Sequence, residues 1–161
     1  MAAAPKNVDQ TLYLRAEKSD APEILGLQKT AFQSEAELYG NDSLPALQQT
    51  LEELQQEFER PQWVVLKAVV NGKIIGSVRG HAADGTVQVA RLVVHPYFQR
   101  HGIGVRLMAE IEKAFPDVKR FEVFTGEKSR RNLDLYRKLG YLPYKTEPGT
   151  PTLVYLQKER K

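Results

Sequence analysis

The chain is 161 residues long, 42% hydrophobic and 27% charged, with three histidines and no cysteine. That balance suits one globular domain and excludes disulfides, thiolate metal sites and a cysteine nucleophile; with so few imidazoles no metal is expected. The net charge of +3 asks for no more than a small anionic ligand, and the basic residues are scattered, so no nucleic acid is expected.

Residues 1–10 contain no apolar run, so they read as a disordered leader and not as a secretory signal. No stretch approaches the roughly 20 apolar residues that cross a bilayer, and no membrane partner is expected. A cytoplasmic protein, monomeric or homodimeric, fits this composition. Residues 11–161 read as a single domain. Thr11–Ala16 alternates as a half-buried strand. Ser19-Asp20-Ala21-Pro22-Glu23 starts a helix that Ile24, Leu25, Gln28, Ala31 and Phe32 continue at helical spacing. After the loop at Gly40–Ser43, Pro45 opens a second helix, with Leu47, Leu51, Leu54 and Phe58 on one face and Pro61 at its end.

From Trp63 the pattern turns to strands. Asn71-Gly72 and Asp84-Gly85 are hairpin signals, because type I′ turns need positive φ at both central residues. Three successive antiparallel strands are therefore expected at 63–70, 73–82 and 86–94. Arg120–Thr125 alternates as a further strand, Ser129–Leu139 reads as a short helix stopped by Gly140, and Tyr141–Lys145 and Leu153–Gln157 as the last strands. The terminal Lys158-Glu159-Arg160-Lys161 reads as a solvated tail.

The stretch from Val87 to Phe115 organises the rest. A β-branched run ends at His95-Pro96, and Gln99-Arg100-His101-Gly102-Ile103-Gly104 follows. Apolar residues then recur at Ile103, Leu107, Met108, Ile111 and Phe115, one face of a helix. The first amides of a helix have no partner within it and mark the positive end of its dipole. Two glycines there let an anion approach the backbone, and a pyrophosphate is a common guest. Neither the Rossmann spacing nor a Walker G-K-[ST] is present.

Q-R-x-G-x-G after such a strand resembles the acyl-CoA pyrophosphate loop of the GNAT superfamily of N-acetyltransferases. Asn132-Leu133-Asp134-Leu135-Tyr136-Arg137-Lys138-Leu139-Gly140-Tyr141 resembles the same family's N-x-x-L-Y-x-x-x-G-[FY] segment. The resemblance implies an α/β (α+β) GNAT fold: a mixed, mostly antiparallel sheet of about seven strands, flanked by four helices, with one splayed parallel pair. It implies acetyl-CoA as cosubstrate and an amine acceptor attacking directly.

Carried over residue by residue, the resemblance places the pantetheine and thioester against the backbone of Leu92, Val93 and Val94. The diphosphate falls to Gln99, Arg100, His101, Gly102, Ile103, Gly104 and Val105. Tyr136 corresponds to the tyrosine that protonates the leaving thiolate, and Asn132 or Ser129 to the polar residue beside the pantetheine. The glutamate that many members carry on the strand falls at Ala90, leaving Glu122, His81 or an ordered water as the candidate base. The acceptor falls between Glu35, Glu37, Tyr39, Asn41 and Asp42 on one side and Tyr144 and Glu147 on the other, with Arg91 and Glu122 beneath. The acids suit a cationic amine, polyamine-like or an amino sugar; Arg91 would suit an acceptor bearing a carboxylate. A small-molecule amine is the leading acceptor. Acetylation of a protein N-terminus or lysine, and a non-catalytic acetyl-CoA sensor, are the alternatives.

Overall fold

A computed structural model of the chain describes residues 8–160. The elements are β1 (Leu12–Arg15), α1 (Ala21–Tyr39), α2 (Pro45–Gln48), α3 (Leu51–Glu59), β2 (Trp63–Val70), β3 (Lys73–Ala83) and β4 (Thr86–Val94). Then follow α4 (Ile103–Lys113), β5 (Arg120–Gly126), α5 (Arg130–Lys138), β6 (Leu142–Glu147) and β7 (Leu153–Glu159). The strands form one sheet of order β1-β2-β3-β4-β5-β7-β6, antiparallel throughout except between β4 and β5. The expected seven-stranded mixed sheet is present. Both hairpin turns have the positive φ their sequences demand, at Asn71-Gly72 and Asp84-Gly85.

Each face of the sheet carries its own core. On one face Ile103, Leu107, Met108 and Ile111 of α4 pack with Val64, Leu66, Val87, Phe121 and Val123. On the other, Ile24 and Leu27 of α1 and Leu54 of α3 pack with Val65, Ile74 and Val93. Glycine lets α4 approach: a Cβ at Gly76 would stand 3.1 Å from Leu107, and one at Gly80 3.2 Å from Phe115.

The structure corrects three expectations. The helix expected from Pro45 to Pro61 is two helices, so the sheet is flanked by five and not four. Thr50 starts the second of them with a capping box. Its hydroxyl accepts from the Glu53 amide at 3.2 Å, and the Glu53 carboxylate accepts from the Thr50 amide at 2.9 Å. The tail is not solvated at Arg160, whose guanidinium donates to the carbonyls of Glu112, Phe115 and Val118 around the C-terminal end of α4. That is where unpaired carbonyls and the negative end of the dipole favour a cation. Of the leader, residues 1–7 lie outside the described residues, while Val8–Gln10 forms a 3-10 turn with Val8 against the core.

The break at Gln49 serves a buried polar network. Arg79 on β3 is 1% exposed. Its Nε donates to Glu57 at 3.0 Å, Nη1 to Gln28 at 3.0 Å and Nη2 to Gln49 at 2.7 Å. Burial pulls the Arg79 pKa down to about 10, against the opposing pull of the Glu57 carboxylate, so the guanidinium remains charged at neutral pH. The network ties α1 and α3 to the sheet strand beside β4. Removing one partner of a buried ion pair leaves the other charge uncompensated, so Glu57→Ala should cost about 3–5 kcal/mol of stability. Denaturant unfolding measures it, and a loss below about 1 kcal/mol would reduce the pair to the worth of a surface one.

Candidate functional site

The site is the place where β4 and β5 part. Their parallel pairing covers Thr86 with Arg120, Val87 with Phe121 and Gln88 with Glu122, and then stops. Beyond it β4 runs on to Val94 and β5 to Gly126 without pairing each other. Arg120 to Glu122 therefore belong to the closed end of the pair, and only the later residues of β5 border the gap expected along Arg120–Thr125.

A bulge in β4 accompanies the parting. Arg79 faces Ala90 and Ser77 faces Val93, so Val78 opposes both Arg91 and Leu92. Arg91 sits at φ 55, a left-handed conformation that a non-glycine residue adopts at a cost. Such bulges bend a strand and sharpen its twist. After the bulge the His95 amide donates to Ile75 of β3 at 2.8 Å. Alternation then turns the Val93 amide to β3 as well and leaves the Val94 amide and carbonyl facing the gap. The Val94 carbonyl accepts from Gln99 Nε2 at 3.2 Å, on that open side. Of the two amides expected to serve the thioester, that of Val94 is the one turned towards the gap.

A cavity of about 840 Å³ fills the opening. Leu92, Val93 and Val94 form its floor. Gln99, Arg100, Gly102, Ile103, Gly104 and Val105 form one wall, and Ser129 and Asn132 another. Gly102 takes φ 79 as the N-cap of α4, which presents the first amides of that helix to the cavity. A methyl at Gly104 would stand 3.7 Å from Leu135 and 3.9 Å from Leu92 and Val94, so the missing side chain leaves that wall to a guest. The loop thus fits a diphosphate. His101 is exposed and lies off the lining.

Sequence reasoning missed part of the lining. Phe32 and Leu38 of α1 and Phe98 add apolar surface, and Lys128, Arg130 and Arg131 add positive charge. The run Lys128-Ser129-Arg130-Arg131 at a helix start was the available signal. With Arg100, four basic side chains line the cavity against one carboxylate, Glu35. Arg131 also donates to Gln99, joining α5 to the glycine loop.

Helix α1 roofs the cavity and is latched across it. Ser129 donates to Glu35 Oε2 at 2.6 Å and lies 2.9 Å from the Tyr39 hydroxyl. That hydroxyl also accepts from the Lys128 amide at 2.9 Å. Tyr39 lies directly on Gly126, where a Cβ would come within 1.9 Å of the phenolic oxygen. Asn41 Nδ2 donates to the Thr150 carbonyl at 3.1 Å, bridging the two loops expected to hold the acceptor. Asn132 donates to Thr125 Oγ1 at 3.3 Å.

The expected side chains of the chemistry do not all meet there. Tyr136 is 7% exposed, belongs to the core cluster and is not among the residues lining the cavity. Burial, and then the Glu35 charge, raise its pKa well above that of a free phenol. Glu122 is outside the lining. It accepts from Gln88 Nε2 at 2.8 Å and from the Tyr144 hydroxyl, with Arg120 4.0 Å away. Burial, then the contact with Glu122, pushes the Tyr144 pKa up to about 12. His81 stacks on Trp63 with ring centroids 4.3 Å apart, and burial lowers its pKa. Arg91 is also off the cavity lining. Burial lowers its pKa and Glu57, the partner of Arg79, opposes that shift. Glu147 accepts from the Tyr155 hydroxyl at 3.3 Å. Among the described residues no cluster of three metal-binding side chains is present, and no helix is long and apolar enough to cross a membrane.

Solved structures share this architecture. The PaiA N-acetyltransferase from Thermoplasma acidophilum, crystallised in complex with coenzyme A, superposes with a TM-score of 0.80 at 16% identity, covering 92% of this chain and 98% of that one. The ribosomal-protein-S18-alanine N-acetyltransferase from Escherichia coli gives 0.74 at 16% identity, over 92% and 93%. At such identities the likeness is one of fold. The UPF0157 protein YqkA of Bacillus subtilis (strain 168) is 34% identical over 125 residues, 78% of this chain but 35% of its own length. The chain therefore spans about a third of that curated relative. Residues 29–141, which hold the splayed strands, the glycine loop and α5, match the Acetyltransferase (GNAT) family. The chain belongs to the GNAT acetyltransferase family.

Proposed function

We propose that this acetyltransferase moves the acetyl group of acetyl-CoA to the primary amine of a small, cationic molecule by direct attack on the thioester. The observation that carries the reading is the roofed cavity, with the α4 amides and four basic side chains on its walls and α1 latched over it. Diphosphate oxygens suit the amides of Ile103, Gly104 and Val105, which are ready-made anion donors. The Val94 amide is free to donate to the thioester or pantetheine from the gap side. Its hydrogen bond would strengthen as the carbonyl oxygen gains charge in the tetrahedral intermediate.

The acceptor's class follows from enclosure and charge. The Asn41–Thr150 bridge joins the two loops that flank the acceptor side, which supports a small molecule over a protein chain. Glu35 lines the cavity whereas Arg91 does not, which supports an amine cation over an acceptor bearing a carboxylate. Polyamines and amino sugars have that chemistry. Tyr136 serves as the proton donor to the departing thiolate. A phenol whose pKa lies above its ordinary value is fully protonated at neutral pH, so the proton is always in place.

Thiol release from acetyl-CoA, followed with spermidine, glucosamine, alanine and an alanine-terminated peptide, tests the acceptor. Turnover with the first two supports the reading, and turnover confined to the peptide overturns it. Gly104→Val places a branched side chain on the cavity wall and should weaken acetyl-CoA binding at least about tenfold by calorimetry, a loss of roughly 1.4 kcal/mol. Unchanged affinity would remove the glycine loop from the binding site. Tyr136→Phe should lower kcat by about 100-fold with little change in the KM for acetyl-CoA, as loss of a general acid does. An unchanged kcat would leave Tyr136 as a core aromatic.

A further inference from the structure

We infer that Glu35 of α1 is the catalytic base that takes the proton from the attacking amine. The inference rests on the acetyl transfer proposed above and names a residue for it that lies far in sequence from the strands and loop.

Three observations meet on Glu35. It is the one carboxylate among the residues lining the cavity, while Glu122 is engaged elsewhere by Gln88 and Tyr144. The position where a strand glutamate was expected is Ala90, opposite Arg79. Second, Glu35 is held in place. Ser129 donates to its Oε2 at 2.6 Å, Ser129 is itself 2.9 Å from the Tyr39 hydroxyl, and Tyr39 is seated on Gly126. One oxygen of the carboxylate is thereby fixed, and Oε1 is left without a hydrogen bond to the described residues. Third, after burial, the Glu35 charge contributes to the raised pKa of the Tyr136 phenol.

The charged groups that line the cavity with Glu35 come from two segments: Lys128, Arg130 and Arg131 from the start of α5, and Arg100 from the glycine loop. The floor strand β4 contributes only Leu92, Val93 and Val94.

The step balances without a further reactant. The amine nitrogen forms the C–N bond and loses a proton to the Glu35 carboxylate. The C–S bond breaks with its electron pair on sulfur, and sulfur takes the Tyr136 proton. The Glu35 proton returns to the phenolate through solvent, leaving an amide and a thiol.

The experiment compares Glu35→Gln, Glu122→Gln and Ser129→Ala in the full chain, with acetyl-CoA and spermidine or glucosamine as probes. Glu35→Gln should lower kcat about 100-fold or more and abolish the acid limb of the kcat pH profile. Its calorimetric affinity for acetyl-CoA should stay within about twofold, because transition-state chemistry and not uniform binding is lost. Glu122→Gln should keep the acid limb. Ser129→Ala breaks the latch but retains the carboxylate, and should keep the limb at a reduced rate. An acid limb that survives Glu35→Gln overturns the inference alone. Equal loss of the limb in Ser129→Ala also overturns it, since the latch would then explain the effect. A wild-type protein that binds acetyl-CoA and releases no thiol with any amine overturns the proposed function and this inference together.

Discussion

Two parallel strands that stop bonding to each other after three residue pairs create everything else in this protein. Beyond Gln88 and Glu122 the backbone of β4 has no partner on its β5 side. Unpaired amides and carbonyls in an interior are costly, so such an edge persists only if something else will bond to it. The bulge at Arg91 turns the strand away at that point, and the Val94 peptide groups are left facing a cavity instead of a neighbour. A ligand rich in amides and carbonyls can complete the sheet there, which is why a pantetheine arm suits the opening.

Around that edge the molecule separates its charges. On the face carrying α1 and α3, Arg79 is enclosed by Glu57, Gln28 and Gln49, and Arg91 shares the field of the same Glu57. Neither guanidinium is among the residues lining the cavity. The cations that do reach it, Arg100, Lys128, Arg130 and Arg131, come from the two helix starts and the loops beside them. Helix dipole and side chains add with one sign on that side of the cavity. The single carboxylate of the lining stands on the opposite element, α1.

The latch between α1 and the start of α5 links stability to chemistry. Glu35, Tyr39 and Ser129 hold the roof to the wall through short hydrogen bonds, and Gly126 provides the depression in which Tyr39 rests. Glu35 and Tyr136 are thereby set into opposite environments. One is a partly exposed acid among cations; the other is a phenol buried in the core.

Much of this was legible in the chain itself, because the signals were local. Asn71-Gly72, the strand alternations, and the succession of Val93-Val94, Gln99–Gly104 and an amphipathic helix each specify backbone geometry within a few residues. The seven strands and the glycine loop followed from them. Even the division of the second helix was written at Thr50 and Glu53, whose side chains reach each other's amides. What the sequence could not express was proximity. Glu35 and Ser129 are 94 positions apart, Arg79 and Gln28 51, and Arg160 and Glu112 48. Which acid faces the cavity, which arginine is spent on a buried network and which tail residue caps a helix depend on how α1 crosses the sheet and where β4 bends. Those are properties of packing between distant elements, and only the tertiary structure decides them.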